Sequence, residues 1–295
     1  MAVTRTTKRV IREYGNPITM NYVQTLLLMG LARPSSTKMV AGAFYIPKHN
    51  PSMPLGQDSH FILPGAHTVG VADGVGGWSK RGIDAGIYAR ELMRNAVLAI
   101  RRQLQSEGSV DPTAALDEAY VDTDEPGSST ACILTLVDDV VRAVNVGDSG
   151  FVILRGGRVC YRTPVQQTRF NCPVQLGRDS DDSSVAEEIE VAVEPGDVVV
   201  MATDGLFDNV HQEELERLVQ EDAAGGGIKN PGNLAAKIAR YALRNAINGE
   251  IETPFSVESR KAGVDPEAVG GKYDDITVIV AYIMRPSKKR RRMNQ

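Results

Sequence analysis

The stretch Thr130–Val146, TACILTLVDDVVRAVNV, determines the kind of sheet that this chain can form. Two apolar runs rich in β-branched residues flank Asp138-Asp139, a dipeptide of the length of a hairpin turn. A second pair of runs, Phe151–Leu154 and Arg158–Tyr161, flanks Gly156-Gly157 in the same way. Strands joined by short hairpins are antiparallel, so the sequence predicts antiparallel sheets.

Helical patterns lie outside these strands in the sequence. Between Ile83 and about Leu104, apolar residues recur at helical spacing, with arginines on the opposite face. Asp111-Pro112 is typical of an N-cap and first-turn pair, and it opens a second predicted helix. Further helices are predicted near Gln212–Asp222 and Leu234–Ile247. Amphipathic helices need a sheet face to cover, so we expect two packed β-sheets with helices outside, an α+β sandwich.

The composition is that of a folded, mildly acidic chain. Its 295 residues include 33 Lys and Arg against 37 Asp and Glu, a formal charge of −4. This balance argues against a nucleic-acid partner, because phosphate binding needs a basic face. No apolar run is long enough to span a bilayer. Three cysteines, Cys132, Cys160 and Cys172, are too few and odd in number for a disulfide framework. We expect a soluble, globular monomer.

Both ends of the chain are basic. Residues 1–38 are rich in arginine and lysine and contain a single acid, Glu13, which is typical of an organelle transit peptide or of a basic arm. The tail 286–295 contains the run Lys288–Arg292, which resembles nuclear-import or polyanion-binding signals and also suits a solvated tail. We expect a folded domain at 39–285. A mitochondrial or plastid address is favoured slightly, and the nucleus and cytosol stay open.

Aspartates recur where predicted strands begin or end. Each neighbours a glycine or another acid, or stands just ahead of an apolar run: Asp58, Asp73, Asp148, Asp204 and the pair Asp274-Asp275. A single Asp-Gly pair is usually a turn, because aspartate bonds its own backbone and glycine accepts positive φ. Several carboxylates at one end of a sandwich would repel each other unless cations lay between them. Hard oxygen ligands suit Mg²⁺ or Mn²⁺, and the four scattered histidines do not suggest zinc.

A two-metal carboxylate site is a known solution for hydrolysing phosphate esters. Two cations about 3.5–4 Å apart hold a bridging water, lower its pKa and neutralise charge on the phosphoryl oxygens. A phosphorylated serine carries nearly two negative charges, so cations must reverse the sign of an acidic cleft. The residues therefore favour metal-dependent phosphate-ester hydrolysis.

Five motifs stand in a fixed order along the chain. They are DGVGG at 73–77, GSSTA at 127–131, VGDS at 146–149, ATDGLFDN at 202–209 and DDITV at 274–278. In this order they resemble the metal-dependent type 2C (PPM) serine/threonine protein phosphatases, over Val40–Ile283. Gly76–Trp78, Asn145–Phe151 and Pro164–Gln167 are similar to the branch of the yeast mitochondrial member and its plant counterparts. The resemblance implies a four-layer αββα sandwich, with helices on both faces, as the catalytic domain at 39–285.

The resemblance also implies roles for the matching residues. Asp73 would bridge two metals, the Gly74 carbonyl would bind one of them, and Asp204 and Asp274 would hold the other. Asp58 would act near the site through metal-bound water, so the expected catalytic residues are Asp73, Asp204 and Asp58. The implied reaction is hydrolysis of phosphoserine and phosphothreonine in a phosphorylated protein, by attack of a water that bridges two Mg²⁺ or Mn²⁺ ions.

Asp148 matches the position that, with the residue at 204, supports a third metal in some members. Three departures from the family pattern stand beside it. Val75 replaces a frequent histidine that is a candidate general acid, and Gln57 replaces a frequent acid. Many members bind phosphate with an arginine early in the domain, but none lies between Ser35 and Asp58; Lys38 and Lys48 are the only cations there, and neither can be assigned. These departures motivate an alternative, a catalytically silent metal-binding scaffold that recognises a phosphorylated partner.

Two other enzyme classes share short patterns with this chain. Gly147–Gly150 resembles the nucleophile segment of trypsin-like proteases, but that chemistry needs a histidine base in a recognisable motif. Cys172 and Arg178 have the Cys-x5-Arg spacing of thiol-based phosphatases. Asn171 replaces the usual histidine there, and Pro173 removes an amide donor. Both alternatives are disfavoured. The substrate itself is not encoded in a motif, and we expect specificity in the polar loops at 177–186 and 250–272.

Overall fold

The computed structural model describes residues 37–225 and 230–285. Within these residues the strands are β1 (Lys38–Ile46), β2 (Asp58–Leu63), β3 (Thr68–Asp73), β4 (Ala131–Val137), β5 (Val140–Val146), β6 (Gly150–Arg155), β7 (Arg158–Arg162), β8 (Gln167–Arg169), β9 (Cys172–Pro173), β10 (Glu187–Ala192), β11 (Val198–Ala202) and β12 (Ile276–Met284). The α-helices are α1 (Ala85–Ser106), α2 (Pro112–Val121), α3 (Asp204–Phe207), α4 (Gln212–Ala224), α5 (Pro231–Ala246) and α6 (Pro254–Lys261).

Two five-stranded antiparallel sheets face each other. The first has the order β1-β12-β11-β6-β7, and the second has the order β10-β5-β4-β3-β2. Apolar side chains from both sheets, among them Val71, Leu134 and Met201, fill the space between them. Helices α4 and α5 cover the outer face of the first sheet, and α1 and α2 cover the outer face of the second. The predicted α+β sandwich in four αββα layers is confirmed.

The two predicted hairpins form because their turn residues tolerate left-handed backbone. Asp138 has a φ of 55° between β4 and β5. Gly156 and Gly157 have φ values of 58° and 77° between β6 and β7, a conformation that glycine adopts without steric cost. The turn at 194–197 has a different role, because the strands on either side of it lie in different sheets. It carries the chain from β10 beside β5 to β11 between β12 and β6.

Helix starts follow their capping residues. The Asp111 carboxylate accepts the N–H groups of Thr113 and Ala114, as the sequence predicts for α2. Helix α5 begins at Pro231 behind an Asn230 cap, slightly earlier than its apolar periodicity indicates. Helix α6 lies inside the segment 250–272, which was predicted to be a loop and is in part a helix. Its start is fixed by the Thr253 hydroxyl, which accepts the Ser256 N–H.

The first described residue, Thr37, is held by the turn between β4 and β5. Thr37 is bound to the 138–139 turn, with its N–H on Asp139 Oδ1 at 3.1 Å and its hydroxyl on the Asp138 carbonyl at 2.7 Å. The predictions for residues 1–36 and for the tail at 286–295 lie outside the described residues. In the described part, no helix is long and apolar enough to cross a bilayer.

Candidate active site

The predicted aspartates meet at one end of the sandwich because of how the strands pair. Asp58 and Asp73 are cross-strand partners on β2 and β3. Asp204 follows β11, and Asp274 precedes β12. Because these neighbouring strands are antiparallel, both residues lie at the same end of the sheet. Asp148 precedes β6, whose Gly150 is the partner of Ala202, the last residue of β11. Each aspartate named as a site residue is therefore brought to one edge.

Asp58 joins the two sheets. Its Oδ2 accepts hydrogen bonds from the hydroxyls of Thr203, at 2.8 Å, and Thr277, at 2.7 Å. Both threonines lie at the same end of the other sheet. Asp58 is 4% exposed, and its Oδ1 is buried without a protein partner. Burial and the nearby Asp275 and Asp204 carboxylates raise the pKa of Asp58 well above its usual range, although the two threonine hydrogen bonds oppose the shift. The sequence did not indicate either threonine.

Asp73 and Gly74 are held by backbone contacts on both sides. The Asp73 N–H donates to Thr130 Oγ1 at 3.2 Å, and the Thr130 N–H donates to the Asp73 carbonyl at 2.9 Å. At Gly74 a Cβ would lie 2.6 Å from the Ala85 carbonyl oxygen and 2.8 Å from that of Gln57, so only glycine fits. The Gly74 N–H donates to the Gln57 carbonyl at 3.0 Å. The chain thus approaches α1 closely just where it leaves β3.

The carboxylates lie near enough to one another to change each other's ionisation. Burial first, and then Asp204, Asp58 and Asp274, raise the pKa of Asp73 well above its usual range, while Lys272 opposes this. Burial, and then Asp204, raises the pKa of Asp274. Since each carboxylate disfavours the charged form of the others, the cluster as a whole calls for cations.

Asp148 belongs to the same cluster. Its Oδ2 accepts from Gln167 Nε2 at 2.9 Å, and its Oδ1 is buried without a protein partner. Burial and the Asp204 carboxylate raise the pKa of Asp148 to about 6. Asp208, which its local sequence did not mark as a site residue, comes directly after α3, one helical turn beyond Asp204. Burial, with Asp204 and Asp148, raises the pKa of Asp208 to about 7, although Lys272 opposes it.

Lys272 is the main functional residue that sequence reasoning missed. Its ammonium contacts Asp204 Oδ2 and lies 3.1 Å from Asp208 Oδ2 and 3.4 Å from Asp274 Oδ2. Burial alone would lower the pKa of Lys272, but these three carboxylates outweigh burial and hold the pKa well above its usual range. A lysine two residues before the DDITV motif was the available signal. Nothing in its local pattern indicates the contact.

Three further polar residues that the sequence named lie at or away from the cluster. Lys48 Nζ lies 3.6 Å from Asp274 Oδ1 and is 44% exposed, so it forms the rim of the cluster. Lys38 lies at the opposite end of β1, where it pairs with Met284. Asp275 turns away from its neighbour at 274. Its Oδ1 accepts the Tyr45 hydroxyl at 2.7 Å and the Lys48 N–H at 2.8 Å, which holds the segment before β2.

The donor set fits a hard divalent cation, although the carboxylates are arranged around an ammonium. Within residues 37–225 and 230–285, no three His, Cys, Asp or Glu side chains are grouped as a ready metal site. The Lys272 ammonium contacts Asp204 and lies 3.4 Å from Asp274 Oδ2. Buried oxygens of Asp58, Asp148 and Asp204 nevertheless have no protein partner. Unpartnered carboxylate oxygens are the ligands that Mg²⁺ and Mn²⁺ prefer.

The protease-like segment and the Cys-x5-Arg spacing do not form active sites in the described residues. The Ser149 and Thr130 hydroxyls share a hydrogen bond of 2.7 Å, so the Ser149 hydroxyl is not paired with a histidine base. The Arg178 guanidinium is paired with Asp124 in place of cradling an anion beside Cys172. Neither arrangement activates a side-chain nucleophile.

A groove opens from the carboxylates to the surface. It has a volume of about 770 Å³, and Asp148 and Asp204 line it. One wall includes Phe255 of α6, whose ring contacts that of Phe170 with the two ring centres 5.0 Å apart. The Arg162 guanidinium, also in the lining, lies 5.0 Å over the ring of Phe207. The groove is therefore polar at its inner end and has aromatic side chains along its walls.

Comparisons with known proteins identify the family of this four-layer sandwich with carboxylates clustered at one end. Residues 64–255 match the family model described as Stage II sporulation protein E (SpoIIE). The chain is 45% identical over 248 residues to "Probable protein phosphatase 2C 55" of Arabidopsis thaliana, across 83% of this chain and 52% of that protein. It is 38% identical over 257 residues to "Protein phosphatase PTC7 homolog fig" of Drosophila virilis, across 79% of this chain and 80% of that protein.

A solved structure agrees. The X-ray structure of the photosystem II phosphatase PBCP has a TM-score of 0.76 and 28% identity, covering 84% of this chain and all of that chain. The chain belongs to the PPM (PP2C) family of metal-dependent protein phosphatases, which confirms the resemblance seen in its motifs. It spans about half the length of the Arabidopsis relative.

Proposed function

We propose that this protein is a metal-dependent serine/threonine protein phosphatase. The observation that carries the proposal is the convergence of Asp58, Asp73, Asp148, Asp204 and Asp274 at one edge of the sandwich. Three of these side chains, Asp58, Asp148 and Asp204, keep a buried oxygen without a protein partner. Family membership makes phosphoester hydrolysis the reaction that such a cluster serves.

In this proposal Asp73, the Gly74 carbonyl, Asp204 and Asp274 hold two Mg²⁺ or Mn²⁺ ions, and Asp148 with Asp204 supports a third. When bound, the ions would supply an activated water as nucleophile and would neutralise charge on the phosphoryl oxygens. Asp58 holds the carboxylate-bearing ends of the two sheets together, because its carboxylate accepts hydrogen bonds from Thr203 and Thr277.

The chain's own residues also set limits on proton transfer. Val75 stands where many family members have histidine, and its backbone N–H is committed to the Ser128 carbonyl at 2.9 Å. Its side chain offers no proton to a leaving group. Protonation of the serine or threonine oxygen therefore depends on solvent held at the site or on another donor in the groove.

The groove favours a protein substrate. Its volume of about 770 Å³ exceeds what a single phosphate needs, and Arg162, Arg169 and Lys261 contribute positive charge to its lining. Guanidinium groups bind phosphate and carboxylate through paired hydrogen bonds. A phosphorylated segment can therefore lie along the groove with its phosphate at the carboxylate end.

The test is hydrolysis of p-nitrophenyl phosphate and of a phosphothreonine peptide by the purified protein. Activity should require Mn²⁺ or Mg²⁺ and stop on addition of EDTA. Cys172→Ser serves as the matched control and should leave the rate unchanged. Activity that resists EDTA and is lost in Cys172→Ser would establish a thiol mechanism. Calorimetric metal binding without turnover of either substrate would favour the silent scaffold.

Residues 1–38 motivate a separate proposal, an address in the mitochondrion or plastid, with the folded domain at 39–285 and a basic tail at 286–295. Imaging of tagged chains with and without residues 1–38 tests it, and an unchanged distribution would refute it. Size-exclusion chromatography with light scattering tests the expected monomer.

A further inference from the structure

Lys272 is placed by the fold at the centre of the carboxylate cluster. Its ammonium contacts Asp204 and lies 3.1 Å from Asp208 Oδ2 and 3.4 Å from Asp274 Oδ2, and its side chain is only 15% exposed. Most surface lysines make one loose ion pair, which contributes little. A largely buried lysine shared by three carboxylates is a different arrangement.

The backbone of Lys272 is anchored to the motif that carries Asp204. The Lys272 N–H donates to Asn209 Oδ1 at 2.9 Å, and Asn209 Nδ2 donates to the Lys272 carbonyl at 2.8 Å. Asn209 is fully buried and also donates to the Gly205 carbonyl at 2.9 Å. On the far side, the ammonium lies 5.8 Å from the centre of the Phe255 ring. The side chain therefore starts from a fixed point and is directed into the cluster.

The ammonium shares its oxygen partners with one of the two proposed metals. Asp204 and Asp274 are the residues assigned to that ion, and the oxygens Asp204 Oδ2 and Asp274 Oδ2 face Lys272. An ammonium and a divalent ion on the same two carboxylates repel each other at such separations, so binding of one opposes binding of the other. Asp208, the third partner, has no assigned role as a metal ligand in this chain.

We propose that Lys272 is a built-in counter-cation, which holds Asp204 and Asp274 together in the metal-free protein and must release them when the metal binds. The proposal rests on the proposed function, since it takes these two residues as metal ligands. On metal binding, the ammonium keeps Asp208 as its partner. Lys272 thus preserves the shape of the site without metal and raises the metal concentration needed to fill it.

The test is isothermal titration of metal-free protein with Mn²⁺, comparing wild type with Lys272→Met. The variant removes the competing charge and keeps most of the unbranched side chain. We expect it to bind Mn²⁺ about tenfold more tightly or better. Lys48→Met is the matched control, because Lys48 reaches only Asp274, at 3.6 Å, from a 44% exposed position. It should change the affinity by about threefold or less.

Equal or weaker Mn²⁺ binding by Lys272→Met would overturn the inference and leave the proposed function standing. If neither wild type nor Lys272→Met binds Mn²⁺, both the inference and the proposed function are overturned. Lys272→Arg, which keeps the charge, should bind Mn²⁺ as weakly as wild type. Tight binding by this variant would contradict the competition.

A second measurement uses the wild-type chain alone, so it does not depend on the folding of a variant. Lysine acetylation followed by mass spectrometry should show Lys272 to be protected in EDTA and several-fold more reactive with saturating Mn²⁺. Lys237, whose partner is Glu221 on the outer helices, is the internal reference. Unchanged or reduced labelling of Lys272 on metal addition would refute the release of the ammonium.

Discussion

The interior between the two sheets and the end of the sheets that carries the carboxylates are built by the same strands. The interior is apolar and stabilising, whereas the carboxylate end, called the edge here, is charged and destabilising. Val69 and Val71 of β3 and Met201 of β11 are fully buried between the sheets. Where those strands end, Asp73 and Asp204 join a group of acids. Apolar burial stabilises the interior, at about 25 cal/mol per Å². Desolvation and mutual repulsion of the carboxylates destabilise the edge.

Stability and chemistry are therefore located in different parts of the molecule. The interior supplies rigidity, because close-packed side chains resist displacement. The edge uses that rigidity to hold like charges together, which the chain could not do on a flexible loop. Changes at the edge should therefore alter catalysis more than folding, and changes in the interior should do the reverse.

Asp204→Asn should give the largest effect of any single change at the edge. It removes a charge shared by Lys272 and by the proposed metals, so kcat should fall by about three orders of magnitude. The free energy of unfolding in EDTA should change by about 1 kcal/mol or less, because the loss of repulsion offsets the lost contact with Lys272. Steady-state kinetics and urea denaturation measure the two quantities. Asp182→Asn, in an exposed loop, is the control, and a near-normal rate in Asp204→Asn would refute its assigned role.

Leu134→Ala tests the interior. Leu134 is fully buried between the sheets, so we expect unfolding to become easier by about 3 kcal/mol, with kcat near that of wild type. Leu98→Ala, at a 43% exposed position of α1, should cost about 0.5 kcal/mol or less. Urea denaturation with metal present measures both. A large loss of kcat in folded Leu134→Ala would show that the two regions are not separable.

Thr277→Val tests the point where the two regions meet. It deletes a 2.7 Å hydrogen bond to the buried Asp58 carboxylate and keeps the side-chain volume, so we expect a loss of about 2 kcal/mol. Thr135→Val is the matched control, since the hydroxyl of Thr135 faces the neutral Thr68 hydroxyl at 2.9 Å. Its loss should be about 1 kcal/mol. Equal losses in the two variants would mean that the charge on Asp58 adds nothing to the contact.

The smallest expected effect is the pH dependence of the metal-free protein. The pKa values of Asp148 and Asp208, about 6 and about 7, lie above those of an unfolded chain, so the folded state binds more protons between pH 4 and 7. Their contribution to stability therefore falls as pH rises through this window. We expect a net loss of about 1 kcal/mol between pH 6.5 and 7.5 in EDTA. Thermal unfolding should show the loss in EDTA and a smaller one with Mn²⁺; no difference between the two would argue against cations in the cluster.

Much of the fold could be predicted from local patterns. The turns at Asp138 and Gly156 and the cap at Asp111 each depend on residues only a few positions away, and all three formed as expected. Strand β1 was missed because its partner is β12, at the far end of the chain, and no hairpin marks it. Helix α6 was missed because its surroundings are polar and its start depends on the single cap at Thr253.

The candidate site divides in the same way. Its aspartates could be listed from the sequence, since each follows or begins an apolar run beside a glycine or a second acid. Their partners could not be listed, because Thr203, Thr277 and Lys272 reach the site only through strand pairing and the anchoring of Asn209. Asp275 shows the converse, since it shares the motif with its neighbour and supports the segment before β2 instead.

By itself the sequence determined the strands with hairpin turns, the capped helices and the acids that stand at strand ends, because each is a property of neighbouring residues. Only the tertiary structure decided which acids share an ammonium and which acid ties the sheets together. Charges and hydroxyl groups act over a few ångströms, and residues as far apart as 58 and 277 come within that range only after both sheets have formed.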